Sequence, residues 1–343
     1  MGIFDMGHCI MYGCHWSGVK RDVNSVRRII TMSELDFREA DKLEVTVLVD
    51  NYTDLVLLQS TDLIKRPPLK PSSTPLAEHG LSFLVKVFKG PEEHVVLKDA
   101  GISTTCLLHN ADVLGIDLMR VESVVLSHGH FDHFGGLVGF LNEAKRGIPL
   151  ILHPDAFLQR LINSPDIGHP VDTPGLNEKQ LKETGVKIYK SEHASTVASG
   201  LILVLGEVER VTDFEKGFPW AEAKIDETWV VDPFHDDQGV AVNVHGRGLV
   251  VFGGCSHAGI INTVKHARKV AKIDKVHAVL GGFHLSGQLF EPIIGPTIEE
   301  MKKIGPDIVV PMHCTGWRAI NQFAEAMPRQ FILNTVGTTY IFQ

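Results

Sequence analysis

Along this chain, short apolar runs of strand character alternate with stretches whose apolar residues recur every three or four positions, the signature of strands interleaved with helices. The first strand is predicted over LEVTVLVDN (43–51). A long connection follows through RPPLKPSSTP (66–75), whose four prolines exclude a regular element and mark a candidate rim or lid of a site. From residue 81 the alternation becomes regular. Strands are expected at 81–88, 94–101, 122–127, 149–153, 201–206, 227–232, 239–244, 248–254, 275–283 and 307–312, with a final strand pair at 330–342. Helices are expected at 135–146, 154–162, 258–272, 297–304 and 316–326, with Pro- and Gly-rich loops at 163–176 and 213–227. Such strand-then-helix repetition in both halves predicts an α/β (α+β) protein in which two mixed β-sheets pack face to face with helices outside, a four-layer αββα sandwich. Residues 1–42 read as an N-terminal extension ahead of a single domain spanning 43–343; within it Val26, Ile29 and Ile30 form one side of a short helix.

Composition narrows the class. In 343 residues, 44% are hydrophobic and 22% charged, which suits a globular chain with a filled core and excludes disorder or coiled coil as the main theme. The net charge of −8 disfavours nucleic acid and anionic lipid as partners. No apolar run approaches the roughly 20 residues that span a bilayer, so a cytoplasmic protein without membrane association is expected. Its five cysteines are odd in number and scattered, unlike a disulfide framework. More telling, 18 histidines outnumber 17 prolines, a bias toward metal ligation or acid–base chemistry.

The chemistry concentrates where strand ESVVLS (122–127) ends in SHGHFDHFGGL, which puts His128, His130, Asp132 and His133 within six residues. In an extended segment residues two apart face the same way, so His128 and His130 suit one ion, while the following turn aims Asp132 and His133 at a second. Two ions about 3.5–4 Å apart fit such a spacing. At the N-terminus His8, Cys9, Cys14 and His15 carry donor atoms but no recognised zinc spacing.

HxHxDH at a strand end resembles the signature of the metallo-β-lactamase superfamily, and the likeness extends over most of residues 43–343. It implies the αββα fold, one or two metal ions, and usually hydrolysis by a metal-bound hydroxide. VLVDN (47–51), EHGLSFLV (78–85), GEVERVTDFE (206–215), GCSHAGIINTV (254–264), GGFHL (281–285) and PMHCTG (311–316) resemble one subfamily of metal-dependent hydrolases. That subfamily also includes the archaeal enzyme that joins a dihydropterin diphosphate to ribofuranosylaminobenzene 5′-phosphate.

The resemblance implies further ligands. Cys255 stands where the superfamily has a bridging Asp, and a thiolate there is a soft ligand suited to zinc, with iron, manganese or magnesium as other occupants. Either His257, inside GCSHAG, or His235, in FHDDQG, completes the first site. Asp99 matches an acid that orients a ligating imidazole, although Ala100 replaces the hydroxyl residue usual after it. Of two late histidines, His313 is assigned to metal, and His284 to substrate contact or proton transfer to the leaving group. Thr315 and Arg318, at a helix start, are candidates for holding phosphate. Arg210 and Trp220, the latter in the aromatic loop EKGFPW (215–220), are candidate pocket walls for a pterin-like ring.

The expected activity is therefore metal-dependent hydrolysis of an ester-like or phosphate-containing small molecule, with Asp132 and His284 in catalytic roles. Two alternatives stand beside it. One is a transferase that displaces diphosphate from a dihydropterin-type substrate. The other is a non-catalytic binding protein with a degraded site, which Cys255 and Ala100 make thinkable. A homo-oligomer is compatible with all three.

Overall fold

The computed structural model describes residues 35–343. His8, Cys9, Cys14, His15 and the helix around Val26 lie outside the described residues. Two large sheets face each other. One runs Ser195–Val197, Ile202–Val204, Val240–Val244, Gly248–Phe252, Val276–Gly282 and Ile308–Met312, with Glu39–Ala40 paired alongside Val240–Val244. The other has eight strands, ordered Lys187–Lys190, Pro149–Leu152, Ser123–Val125, Glu92–Lys98, Ser82–Lys89, Lys42–Val49, Thr339–Phe342 and Ile64–Lys65.

The near-continuous apolar runs arise because each sheet is buried on both faces. Side chains alternate along a strand, so Val240, Val242 and Val244 enter the core between the sheets while Ala241 faces the helices outside. From the opposing sheet Phe83, Val85 and Val87 enter the same core, and the Phe83 and Phe252 rings meet at 6.0 Å. Leu84 and Leu97 turn to the opposite side, where helices Thr104–Val113 and Leu137–Ala144 cover them. Helices Ile260–Ala271, Ile294–Ile304 and Trp317–Ala326 cover the outer face of the first sheet. Ile260–Ala271 buries Ile260, Ile261, Val264 and Ala267 at helical spacing. Glu215 caps it from a neighbouring loop by accepting the amides of Ile261 and Asn262, both at 2.9 Å.

Several predicted elements are corrected. Residues 154–162 are not a helix. Pro154 starts one 3-10 turn, Pro154–Phe157, and Arg160–Ile162 becomes a strand because it finds partners distant in sequence, Val171–Asp172 and Ala221–Ile225. With Thr228–Val231, which bears out the strand expected at 227–232, these make a small third sheet; Val171–Asp172 and Ala221–Ile225 come from segments read as loops, and the pairing of Ala221–Ile225 with Arg160–Ile162 is non-local. The helix predicted over 135–146 is found as Leu137–Ala144, and a separate turn of helix, Phe131–Phe134, precedes it; the two are parted at Gly135 and Gly136, where a Cβ would meet Ile102 O at 2.0 Å and Ala100 O at 2.3 Å. The expected pair at 330–342 is one strand, Thr339–Phe342; near its start only a single bridge joins Val309 to Phe331. No helix among the described residues is long and apolar enough to cross a membrane.

Candidate metal centre

Parallel strands end together at one edge of the sandwich, and their loops carry the polar residues. Glu92–Lys98 delivers Asp99, Ser123–Val125 leads to His128, Gly248–Phe252 to Cys255, Val276–Gly282 to His284 and Ile308–Met312 to His313. Asp99, Ser256, His284 and His313 all have positive φ, between 46° and 60°, although none is glycine. Backbone strain of this kind is retained where surrounding structure overdetermines it, commonly at functional sites.

Two donor sets result. His128, His130 and His257 form one, and Asp132, His133, Cys255 and His313 the other, with donor atoms in each set within 4.8 Å of one another. Cys255, His257 and His284 also meet this limit, so Cys255 links the sets. In the first set His257 Nε2 lies 3.1 Å from His130 Nδ1, and His128 Nε2 is buried with no hydrogen-bond partner. In the second, Cys255 Sγ is 3.1 Å from His133 Nε2 and 3.3 Å from His313 Nε2, which is 3.2 Å from Asp132 Oδ2.

Those spacings fit a cation. Ligands at about 2.0–2.3 Å around a tetrahedral ion are separated by roughly 3.3–3.7 Å. The electrostatics agree. Burial, with His133 beside it, pushes His128 well below the ordinary imidazole range, and burial together with Arg160 lowers His130 to about 3. His257 is lowered by burial and by His284. The first set is thus three neutral imidazoles, the form that ligates. In the second, burial opposes ionisation of Asp132, but His133 and His313 outweigh it and hold the carboxylate ionised. Burial likewise opposes protonation of His313, yet Cys314 and Asp132 raise it to about 9. In the second set, then, the Asp132 carboxylate faces a protonated His313 while burial raises the Cys255 thiol well above its ordinary range, and a divalent ion bound there would displace these protons.

Surrounding groups orient these candidate donors. His133 Nδ1 is 3.0 Å from Asp99 Oδ2, which also accepts from Lys98 Nζ at 2.9 Å, both side chains being fully buried. Burial raises the Asp99 pKa, but Lys98 and His133 outweigh it and hold the carboxyl below its usual range. Phe234 stacks on His257 with ring centroids 4.3 Å apart.

Of the two histidines left open, the structure brings His257 to the cluster. His235 is 45% exposed and turns instead to Asp155 Oδ2 at 3.1 Å. His284 lies with its ring 4.2 Å from His257, its Nδ1 buried and unpartnered. Thr315 is fully buried and its hydroxyl is already engaged, donating to Met312 O at 2.7 Å and accepting from Phe283 N at 3.0 Å. Arg318 is exposed and pairs with Glu291. No anion cradle assembles from these two, because one side chain is turned inward and the other outward. Arg210 donates to Pro233 O at 2.9 Å and lies against Gly217, bracing the loop that carries Phe218 and Trp220, whose rings are 6.2 Å apart.

Sequence reasoning passed over three groups. His79, from the EHG run, has its Nε2 3.5 Å from Asp132 Oδ2 at the exposed mouth of the site. Asp50 accepts the His313 amide at 2.9 Å and the Asn334 side chain at 2.7 Å. Ser127 Oγ lies 2.9 Å from His128 Nδ1. All three sit in quoted runs, His79 in EHGLSFLV, Asp50 in VLVDN and Ser127 at the end of ESVVLS, but none was singled out there.

Residues 77–253 match the family described as the Metallo-beta-lactamase superfamily. The chain belongs to this superfamily. Metallo-β-lactamase folds of this kind carry divalent metal, in accord with the donor sets above. Over 258 residues, 74% of this chain and 87% of the relative, it is 34% identical to the 7,8-dihydropterin-6-methyl-4-(beta-D-ribofuranosyl)-aminobenzene-5′-phosphate synthase of Methanocaldococcus jannaschii. An uncharacterized protein of the same organism is 29% identical, over 76% of this chain and 92% of its own length. Among solved structures, a metal-dependent hydrolase of the beta-lactamase superfamily superposes with a TM-score of 0.66 at 25% identity, covering 88% of this chain and 98% of that one.

Proposed function

We propose that this metallo-β-lactamase-fold protein is a dinuclear, zinc-preferring hydrolase of a phosphate-bearing aromatic small molecule. The observation that carries the reading is the place where the donor sets meet. Beside Ser256, His257 and His284 opens a cavity of about 200 Å³ walled by Phe214, Phe290 and Lys216. Phe218 approaches both His284, at 5.7 Å, and Phe290, at 5.4 Å, so an aromatic group entering here meets ring faces while Lys216 offers a cation to an anionic substituent.

When bound, divalent ions supply Lewis acidity and lower the pKa of water toward neutrality. The chain's own residues do the rest. His128, His130 and His257 offer neutral nitrogens on one side, and Asp132, His133, Cys255 and His313 offer charge on the other. Asp99 fixes the His133 tautomer. His284, between the ligands and the aromatic wall, is placed to hand a proton to the departing group at its free Nδ1. Soft Cys255 favours zinc over magnesium.

The 34% identity to a synthase favours a second reading, displacement of diphosphate by an aromatic nucleophile in the same cavity. One experiment addresses both. Metal-loaded protein is offered aromatic phosphates, aromatic diphosphates, their dephosphorylated forms, and plain esters and lactones, with and without an aromatic amine. Phosphate release without the amine supports the hydrolase, and diphosphate release dependent on the amine supports the transferase. Equal affinity for phosphorylated and dephosphorylated forms would leave a carboxylic ester or lactone hydrolase.

A further inference from the structure

Buried charge gathers at one more place, beneath the three-imidazole set. Arg160, 5% exposed on the small third sheet, gives Nε to Asp232 Oδ2 at 2.6 Å and Nη2 to Asp236 Oδ1 at 2.8 Å. The other oxygen of Asp236 accepts the amide of Gly129 at 2.8 Å. Gly129 is the residue between His128 and His130. It lies beyond the end of strand Ser123–Val125, and it has no room for a side chain: a Cβ there would sit 2.1 Å from Ala156 O and 2.7 Å from Arg160 Nη1.

The next two residues act alike. Asp237 accepts the amide of Ala258 at 2.9 Å, the residue after His257. Gln238 donates its amide to Ser127 O and its side chain to Leu126 O, both at 3.0 Å, so it holds the strand end from which His128 departs. Asp236, Asp237 and Gln238 are all at least 98% buried. Three consecutive side chains thus grip the backbone next to every ligand of one donor set.

Such an arrangement is costly as packing. Two buried carboxylates share one guanidinium and a third, Asp237, is buried beside them, and apolar residues of similar volume would commonly be as stable or more so. A metal site, in contrast, gains from donors held to within about 0.5 Å. We infer that Arg160, Asp236, Asp237 and Gln238 form a positioning clamp that presets His128, His130 and His257 for a metal ion, with Arg160 tying the small sheet to the site. The inference rests on the metal-centre reading. None of the four residues need touch substrate.

Cobalt(II) titration of the metal-free full-length protein tests it, because a thiolate-to-cobalt charge-transfer band reports the Cys255 set separately from the imidazole set. Arg160→Met is expected to weaken cobalt binding at the three-imidazole set by about 10- to 100-fold, while the thiolate band titrates as in wild type. Arg160→Lys, which keeps the charge but not the two-pronged grip, should recover part of the loss. Circular dichroism checks folding; should Arg160→Met not fold, Asp236→Asn, which keeps the shape but loosens the Arg160 pair, decides by the same selective loss. Equal weakening of both sets, or of neither, in folded variants overturns the clamp alone. Wild-type protein that binds no cobalt overturns the metal-centre reading and the clamp with it.

Discussion

The two donor sets lie side by side, yet they are built on opposite principles. The imidazole set is neutral, and backbone grips from Asp236, Asp237 and Gln238 hold its loops. Charge defines the other: Asp132 faces His313, Asp99 faces Lys98 and His133, and Asp50 receives the His313 amide. Neutral donors must be fixed by geometry, because nothing electrostatic assembles them without the ion. In the other set the Asp132 carboxylate and the protonated His313 attract one another, a pairing that a bound cation would replace.

Breaking the charged set has the largest expected effect. Asp132→Ala together with His133→Ala should leave the fold intact by circular dichroism, remove at least one metal equivalent by elemental analysis and abolish nearly all turnover. Unchanged metal content would sink the assignment of these ligands. Next come the two late histidines, which separate binding from chemistry. His313→Ala should lower bound metal, whereas His284→Ala should keep it and slow the chemical step by about 10²–10⁴-fold. Metal loss confined to the His284 variant would exchange their roles.

A gentler change sharpens the contrast. Cys255→Asp retains an anionic donor but replaces a soft ligand with a hard one, so competition between zinc and manganese should move toward manganese in this set. An unaltered preference would show that Cys255 does not ligate. The smallest effect concerns acid stability of the metal-free protein. Because Asp99 in the fold ionises below the value of about 3.9 found in unfolded chains, the unfolded chain binds more protons between the two values, and stability rises with pH there. Its contribution is complete above about pH 5, begins to be lost near pH 4 and is lost progressively as pH falls on toward the lower value in the fold. In Lys98→Met, which removes the first of the two partners that hold Asp99 ionised, urea unfolding at several acid pH values should show a shallower dependence. An unchanged slope would refute the role given to that ion pair.

Legibility in the sequence followed locality. HxHxDH lies within six residues, so its grouping could be read from spacing and from the turn that follows a strand. Strands such as 81–88 were legible because burial on both faces leaves a near-continuous apolar run. Arg160–Ile162 was misread as helix because its partners, Val171–Asp172 and Ala221–Ile225, contribute nothing to its local pattern. The choice between His235 and His257 could not be read either. Both follow plausible spacings, and only the turn of His235 toward Asp155 separates them.

By itself, then, the sequence determined the αββα layering, through alternation of strand and helix periods, and the first four ligand candidates, through contiguity. Tertiary structure decided which distant residues meet them. Cys255 and His313 stand 58 residues apart in the chain and 3.3 Å apart in space because their strands run parallel and end at one edge. It also decided that Thr315 and Arg318 serve packing and surface pairing, since a side chain's neighbours depend on the direction in which its backbone is held. Burial was the other quantity the chain order could not supply. Arg160 and Asp236 read as ordinary charged residues until the fold encloses them, where low polarity makes each unpaired charge costly and each pairing specific.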